Sequence, residues 1–275
     1  MQRQAFDFQG LRLSYLEAGE QNAEKLVIAH ANGYAAGMYA YIIEALAGRF
    51  HICALDFAGH GESEGTLHFS SWNFFRDQLL ALLDHKGWGK AHAIGHSLGG
   101  GSLLRAAQVN AGRFVKIIAF DPVMLNLASI TYVKLFGNPM AKVARTRRAS
   151  FAGKAQALKI FSRHPAQRFW QKESIAAYVE YCLRETNDGA RLSCDPALEA
   201  QIFSQTEYAH LFRLKRITCE TRLILPPRSH VCPPRVAAKI VRNHAKSAIQ
   251  RLPGTGHLLP FENHAKTLDV ILSSL

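Results

Sequence analysis

A chain of 275 residues, 48% of them hydrophobic, is long enough to bury a sizeable core and suits one α/β domain with an inserted subdomain. No apolar run approaches the roughly 20 residues of a membrane span, and the opening Met1 to Asp7 lacks the apolar stretch of a secretory signal. The five cysteines (Cys53, Cys182, Cys194, Cys219, Cys232) are odd in number and scattered, without metal-ligand spacing. These features lead us to expect reduced thiols in a cytoplasmic protein that holds no metal and no cofactor. The net charge of +12 comes without a nucleic-acid motif, so it reads as a solubility feature or as attraction to anionic small molecules or surfaces, and no nucleic-acid partner is expected.

In chain order, Phe6, Phe8, Leu11, Leu13 and Tyr15 alternate with polar residues around Gly10, the pattern of an antiparallel hairpin. Leu26 to Ala29 is a short apolar run suited to a buried strand. It ends in His30-Ala31-Asn32-Gly33-Tyr34, a loop able to aim a backbone N–H at a neighbouring site. Tyr39 to Ala47 is helical by pattern, and His51 to Leu55 is a second buried strand. Asp56 and His60, which follow it, are expected to hold their own turn by hydrogen bonding rather than to react. Phe69 to Lys86 reads as a long amphipathic helix with Leu79, Leu82 and Leu83 on its apolar face.

Ala91 to Ile94 then feeds Gly95-His96-Ser97-Leu98-Gly99, which fits G-x-S-x-G: a strained strand-to-helix turn that lifts a serine hydroxyl above a sheet. The glycines are needed because strand and helix come too close there for side chains. The following helix, legible from Ser102 to Val109, offers free N–H groups and a positive dipole end beneath Ser97. Nearby, Gly95 to Gly101 lacks the lysine and spacing of a phosphate-binding loop.

Phe114 to Phe120 is a clear strand ending in Asp121-Pro122. Residues 123–216 then turn helical and irregular, with no convincing central strand, and are expected to form a cap on a core made of residues 1–122 and 217–275. The first half of this segment is one-signed: Lys134, Lys142, Arg145, Arg147, Arg148, Lys154, Lys159, Arg163, Arg168 and Lys172 pass before the first acid, Glu173. A solvated exterior explains such a run; a basic rim drawing anionic or lipid-like substrates is the sharper alternative. Trp170 and Tyr178, together with Tyr34 and His96, are candidates to line a substrate pocket. At helical spacing, at least two of Phe169, Trp170 and Tyr178 are expected to be cap core.

The order His30-Ala31-Asn32-Gly33, Asp56-x-x-Gly59-His60-Gly61-x-Ser63, Gly95-His96-Ser97-Leu98-Gly99 and Gly256-His257 resembles the α/β-hydrolase superfamily over nearly the whole chain. Within it, Arg163-His164-Pro165, Phe169-Trp170, Tyr178-Val179 and Arg184 to Gly189 look like the cap of a subgroup of bacterial hydrolases. The resemblance implies an α/β fold: a mostly parallel central sheet flanked by helices, with a helical cap inserted after the sixth strand. It also implies Ser97 as nucleophile, His257 as base, and oxyanion donors at the backbone of Leu98 and Asn32. His257 follows the glycine-rich Leu252 to Gly256, a loop able to carry an imidazole toward Ser97. His96, beside the nucleophile, is pointed elsewhere by its place in the elbow.

One position departs from the superfamily pattern. After the strand Thr221 to Leu225, where most members carry the triad aspartate, the chain reads Pro226-Pro227-Arg228-Ser229-His230. Serine cannot stabilise an imidazolium as a carboxylate can. Asp121, at the end of the preceding sheet strand, faces the same C-terminal edge where sites gather in open α/β sheets, and some superfamily members carry their acid there. Asp121 is therefore the expected acid and Asp195 a distant second. The expectation is a cofactor-free serine hydrolase acting on a small acyl ester, a carboxylesterase or lipase-like enzyme. Thioesterase and C–C bond hydrolase chemistry remain alternatives, as does a catalytically silent binding protein of the same fold. The serine argues against branches that use an aspartate nucleophile.

Overall fold

The computed structural model describes residues 1–275. The chain opens with the hairpin β1 (Gln2–Phe8) and β2 (Leu11–Ala18), turned at Gly10 with φ +79°. Next come β3 (Glu24–Ala29), α1 (Ala40–Leu46), β4 (Phe50–Leu55), α2 (Asn73–His85), β5 (Ala91–His96), α3 (Leu98–Asn110) and β6 (Phe114–Phe120). Two of these helices differ from the sequence reading. The α2 helix starts at Asn73 rather than Phe69, because the Ser71 hydroxyl accepts the Asn73 N–H and breaks the pattern there. The α3 helix starts at Leu98, so Gly99 to Gly101 lie inside its first turn.

The segment that follows β6 contains α4 (Leu127–Phe136), α5 (Pro139–Thr146), β7 (Ser150–Phe151), α6 (Lys154–Phe161), α7 (Lys172–Tyr181), β8 (Leu183–Thr186), β9 (Gly189–Leu192), α8 (Pro196–Ser204) and α9 (Ala209–Phe212). The chain closes with β10 (Glu220–Leu225), α10 (Pro234–Val241), β11 (Ala248–Arg251), α11 (Leu259–Glu262) and α12 (His264–Ser274). The inserted segment is thus not purely helical. β7, β9 and β8 pair antiparallel as a separate three-stranded sheet, in register Phe151 to Ala190 and Glu185 to Ala190. Its strands are two to four residues long, too short for a period-2 pattern to stand out from helical sequence.

The main sheet has eight strands in the order β1-β2-β4-β3-β5-β6-β10-β11; β3, β4, β5, β6, β10 and β11 run parallel, and β2 runs antiparallel to both neighbours. Strands covered by helices on both faces read as near-continuous apolar runs, and every residue of β4 and β5, His51, His92 and His96 included, is buried. Along β3, Val27 and Ala29 enter the core shared with α2 and α3, while Leu26 and Ile28 enter the core shared with α1 and α12. This period of two follows from the pleat. The inserted segment leaves from the C-terminal end of β6, on the edge where β3, β5 and β6 all end.

Candidate active site

Ser97 sits at the tip of β5 with φ +52° and ψ −110°, a region that a residue with a Cβ avoids unless its surroundings enforce it. The enforcement is visible. The Ser97 N–H donates to the Phe120 carbonyl (3.0 Å), and the Ser97 carbonyl accepts from Gly101 (2.9 Å) and Val123 (3.1 Å), tying the turn to β6. The crossing is too tight for a side chain: a Cβ on Gly99 would lie 2.1 Å from the Ala29 carbonyl oxygen, and one on Gly95 would lie 2.7 Å from Gly100 Cα.

The His257 ring reaches this serine from the loop before α11. Its Nε2 is 3.0 Å from Ser97 Oγ, and its Nδ1 is 2.7 Å from Asp121 Oδ2. A nitrogen facing a carboxylate must carry the proton, so Nδ1 donates and Nε2 offers its lone pair to the Ser97 hydroxyl. Asp121 is 3% exposed and, like Ser97, has positive φ, +36°; its N–H donates to the Ile224 carbonyl (2.9 Å), which locks the turn to β10. The Ser229 hydroxyl donates to Asp121 Oδ1 (2.5 Å) and accepts from the Cys232 N–H (2.8 Å). Ser229, at the position where the superfamily pattern has its acid, is thus hydrogen-bonded to the carboxylate that ends the neighbouring strand. Asp195 lies elsewhere: it accepts the Ala197 N–H at the start of α8 and pairs with Arg191 (2.8 Å).

The backbone N–H groups of Leu98 and Asn32 donate to no acceptor in the protein. The loop holding Asn32 is fixed on several sides. His30 carbonyl accepts from Gly99 (3.0 Å), Gly33 N–H donates to His60 Nε2 (3.1 Å), and Asn32 Nδ2 donates to the Glu199 carbonyl of α8 (3.1 Å). Asp56 accepts from the Ala36 N–H (2.7 Å) and from Arg3 (2.7 Å). Asp56 and His60 therefore act as turn-holding groups, as their sequence context implied. Burial pushes the His30 and His60 imidazoles down to about 4 and about 3. Both stay neutral and serve as fixed acceptors for the Phe57 and Gly33 N–H groups.

A buried relay connects the two halves of the site. The Ala31 N–H donates to Tyr39 Oη (3.3 Å), the Tyr39 hydroxyl donates to His96 Nδ1 (2.8 Å), and His96 Nε2 donates to the His257 carbonyl (2.8 Å). Burial, with the nearby His257 ring adding to it, pushes His96 down to about 3 and keeps it neutral. His96 thus uses both nitrogens inside the protein and is 1% exposed. Tyr39 carries no motif, so nothing local in the sequence marked it.

The other pocket candidates form an aromatic cluster. Tyr34 packs on Phe261 (4.8 Å between centroids), Trp170 (5.8 Å) and Tyr178 (5.8 Å). Trp170 and Tyr178 are buried in the core shared with the main sheet, α1 and α12, and Phe169 is exposed. Phe261 also contacts the His96 ring at 5.5 Å, which places the cluster one ring behind the elbow. Arg147 of the basic run turns inward, donating to Glu199 Oε2 (2.7 Å) and to the Tyr178 hydroxyl. A cleft of about 550 Å³ opens beside the His257–Asp121 pair, walled in part by Pro226, Arg228, His230 and Thr255.

The alpha/beta hydrolase family matches residues 26–270, and the chain belongs to it. The chain is 37% identical over 98 residues to the dihydrolipoyllysine-residue acetyltransferase component of the acetoin cleaving system of Pseudomonas putida, covering 36% of this chain and 26% of that protein. It is 32% identical over 109 residues to 3-oxoadipate enol-lactonase 1 of Acinetobacter baylyi, covering 40% of this chain and 41% of the relative. The chain thus spans about a quarter to two fifths of the length of these curated relatives. Among solved structures, E-2-(acetamidomethylene)succinate hydrolase superposes with a TM-score of 0.80 at 19% identity, covering 98% of this chain and 97% of that one; the likeness is one of fold. No helix is long and apolar enough to cross a membrane.

Proposed function

We propose that this member of the alpha/beta hydrolase family cleaves carboxylic esters through an acyl-enzyme on Ser97. The observation that carries the reading is the continuous path Ser97 Oγ, His257 Nε2, His257 Nδ1, Asp121 Oδ2, with separations of 3.0 and 2.7 Å. It lies beside two backbone N–H groups, those of Leu98 and Asn32, that have no partner in the protein. The enol-lactonase relative is named for opening a cyclic ester, which fits the same chemistry.

In the first half-reaction His257 Nε2 takes the hydroxyl proton as Ser97 Oγ bonds to the carbonyl carbon. The negative charge moves to the former carbonyl oxygen, where the Leu98 and Asn32 N–H groups receive it; donors placed in advance cost no reorganisation during the reaction. Asp121 remains ionised and stabilises the imidazolium. The bond to the leaving oxygen then breaks, that oxygen takes the proton from His257, and the acyl group stays on Ser97. A water molecule next gives its proton to His257 while its oxygen attacks the acyl carbon. Collapse of that second intermediate returns the proton to Ser97 and releases the acid.

The test pairs labelling with turnover. A fluorophosphonate probe should modify the wild type at Ser97 and leave Ser97→Ala untouched. p-Nitrophenyl esters from acetyl to dodecanoyl should be hydrolysed by the wild type only. A protein that neither labels nor turns over any ester would overturn the reading in favour of a silent binding protein.

A further inference from the structure

The inserted segment carries a surface that the hydrolytic site does not use. On α4, Leu127, Tyr132, Leu135 and Phe136 are all exposed, Leu135 by 69% and Phe136 by 74%; on α5, Met140 and Val143 are more than half exposed. At 100° per residue the four on α4 span one half of the helix, while the buried Ile130 points the other way. The inner side of α5 is occupied, with Ala141 and Ala144 packed on Ala200 of α8. Six exposed large apolar side chains on two consecutive helices exceed the single scattered ones usual on a monomer and mark a contact surface.

Charge identifies the occupant. Residues 123–172 hold ten Lys and Arg and no Asp or Glu. Only Arg147 and Lys154 among them meet a carboxylate; Lys142 and Arg145, on the flank of α5 across from Met140 and Val143, have none. A second copy of the chain would bring this face against itself across a two-fold axis, setting Lys142 and Arg145 against like charges with no acid to offset them. A bilayer with anionic headgroups satisfies both properties at once: acyl chains take the apolar side chains, and phosphates take the cations.

We propose that the α4–α5 pair is an interfacial anchor that seats the protein on an anionic lipid surface. The binding measured below involves no catalysis, so this inference stands or falls independently of the ester-hydrolase reading.

The experiment is flotation of the full chain with vesicles of pure phosphatidylcholine, or with 30 mol% phosphatidylserine, at ~0.1 M and ~0.5 M salt. The wild type should float with the anionic vesicles at low salt, and less so at high salt. Leu135→Ser/Phe136→Ser should lower the partition coefficient at least tenfold. Lys142→Ala/Arg145→Ala should lower it about thirtyfold, since each cation near such a surface is worth roughly fivefold. All four side chains are exposed, and an unchanged thermal melt would show that the fold is retained. Equal partition of wild type and both double variants would overturn the proposal. So would a wild-type dimer in sedimentation equilibrium that dissolves in Leu135→Ser/Phe136→Ser.

Discussion

Replacing Asp121 by asparagine removes one charge from a site that is 3% exposed and 2.7 Å from the His257 ring. During proton transfer that charge faces an imidazolium, and a separation of roughly 4 Å between the two charges sets the scale. At an effective dielectric constant of about 20 the attraction is about 4 kcal/mol, close to three decades in rate. A second penalty follows from hydrogen bonding. If the new amide turns its NH₂ toward His257, Nδ1 becomes the acceptor, the ring proton moves to Nε2, and the base is blocked; the corresponding change in other serine triads costs about 10⁴ in turnover. Asp121→Asn should therefore lower kcat for p-nitrophenyl esters by about 10³ to 10⁴, with little change in KM. Ser229→Ala removes the donor to the other carboxylate oxygen and the acceptor of the Cys232 N–H and should cost about tenfold in kcat, because a hydrogen bond to a charged group is worth roughly 1.5–3 kcal/mol and part of the loss falls on stability. The assay is steady-state turnover, backed by the rate of fluorophosphonate labelling. Asp121→Asn retaining more than a tenth of wild-type kcat would refute the assignment of the acid, and Ser229→Ala matching Asp121→Asn would refute the division of labour between them.

Other outcomes follow from the same geometry. Tyr39→Phe strips the buried His96 Nδ1 and the Ala31 N–H of their shared partner, at a cost of about 1–3 kcal/mol. It should lower the melting temperature by about 2–4 °C per kcal/mol and reduce kcat more than it raises KM; an unchanged melt together with unchanged kcat would remove Tyr39 from the site. Gly99→Ala forces a Cβ against the Ala29 carbonyl oxygen, a backbone atom that cannot give way. That variant should fail to accumulate as folded protein, and a native circular dichroism melt would contradict the close approach of β3 and α3. His30, His60 and His96 are held neutral, pushed down to about 4, about 3 and about 3. Unfolding below the ordinary histidine value takes up protons that the native state refuses. Their contribution is therefore full above pH ~6.5 and declines as pH falls toward those lowered values, at up to about 1.4 kcal/mol per pH unit per group. Urea unfolding at pH 7 and pH 5 should show the midpoint falling, and a flat midpoint would contradict their burial.

Much of this site was written in short stretches of sequence. The alternation in Phe6 to Tyr15, the apolar runs ending at Ala29, Leu55 and Phe120, and the glycine spacing around Ser97 each determine their own local structure, because hydrophobic period and allowed φ are properties of neighbouring residues. The Ser97 elbow, the Asn32 loop and the glycine-bordered His257 are therefore legible one segment at a time. Ser229 looked like a missing acid because its partner, Asp121, is 108 residues away and meets it only when β6 and β10 lie side by side. The relay from Ala31 through Tyr39 and His96 to the His257 carbonyl joins four segments, no two of which signal each other in the chain. The small sheet of β7, β8 and β9 and the outward face of α4 and α5 likewise depend on what packs beside them. Burial and pairing across the chain are decided by where the whole backbone goes, and only the assembled structure holds that information.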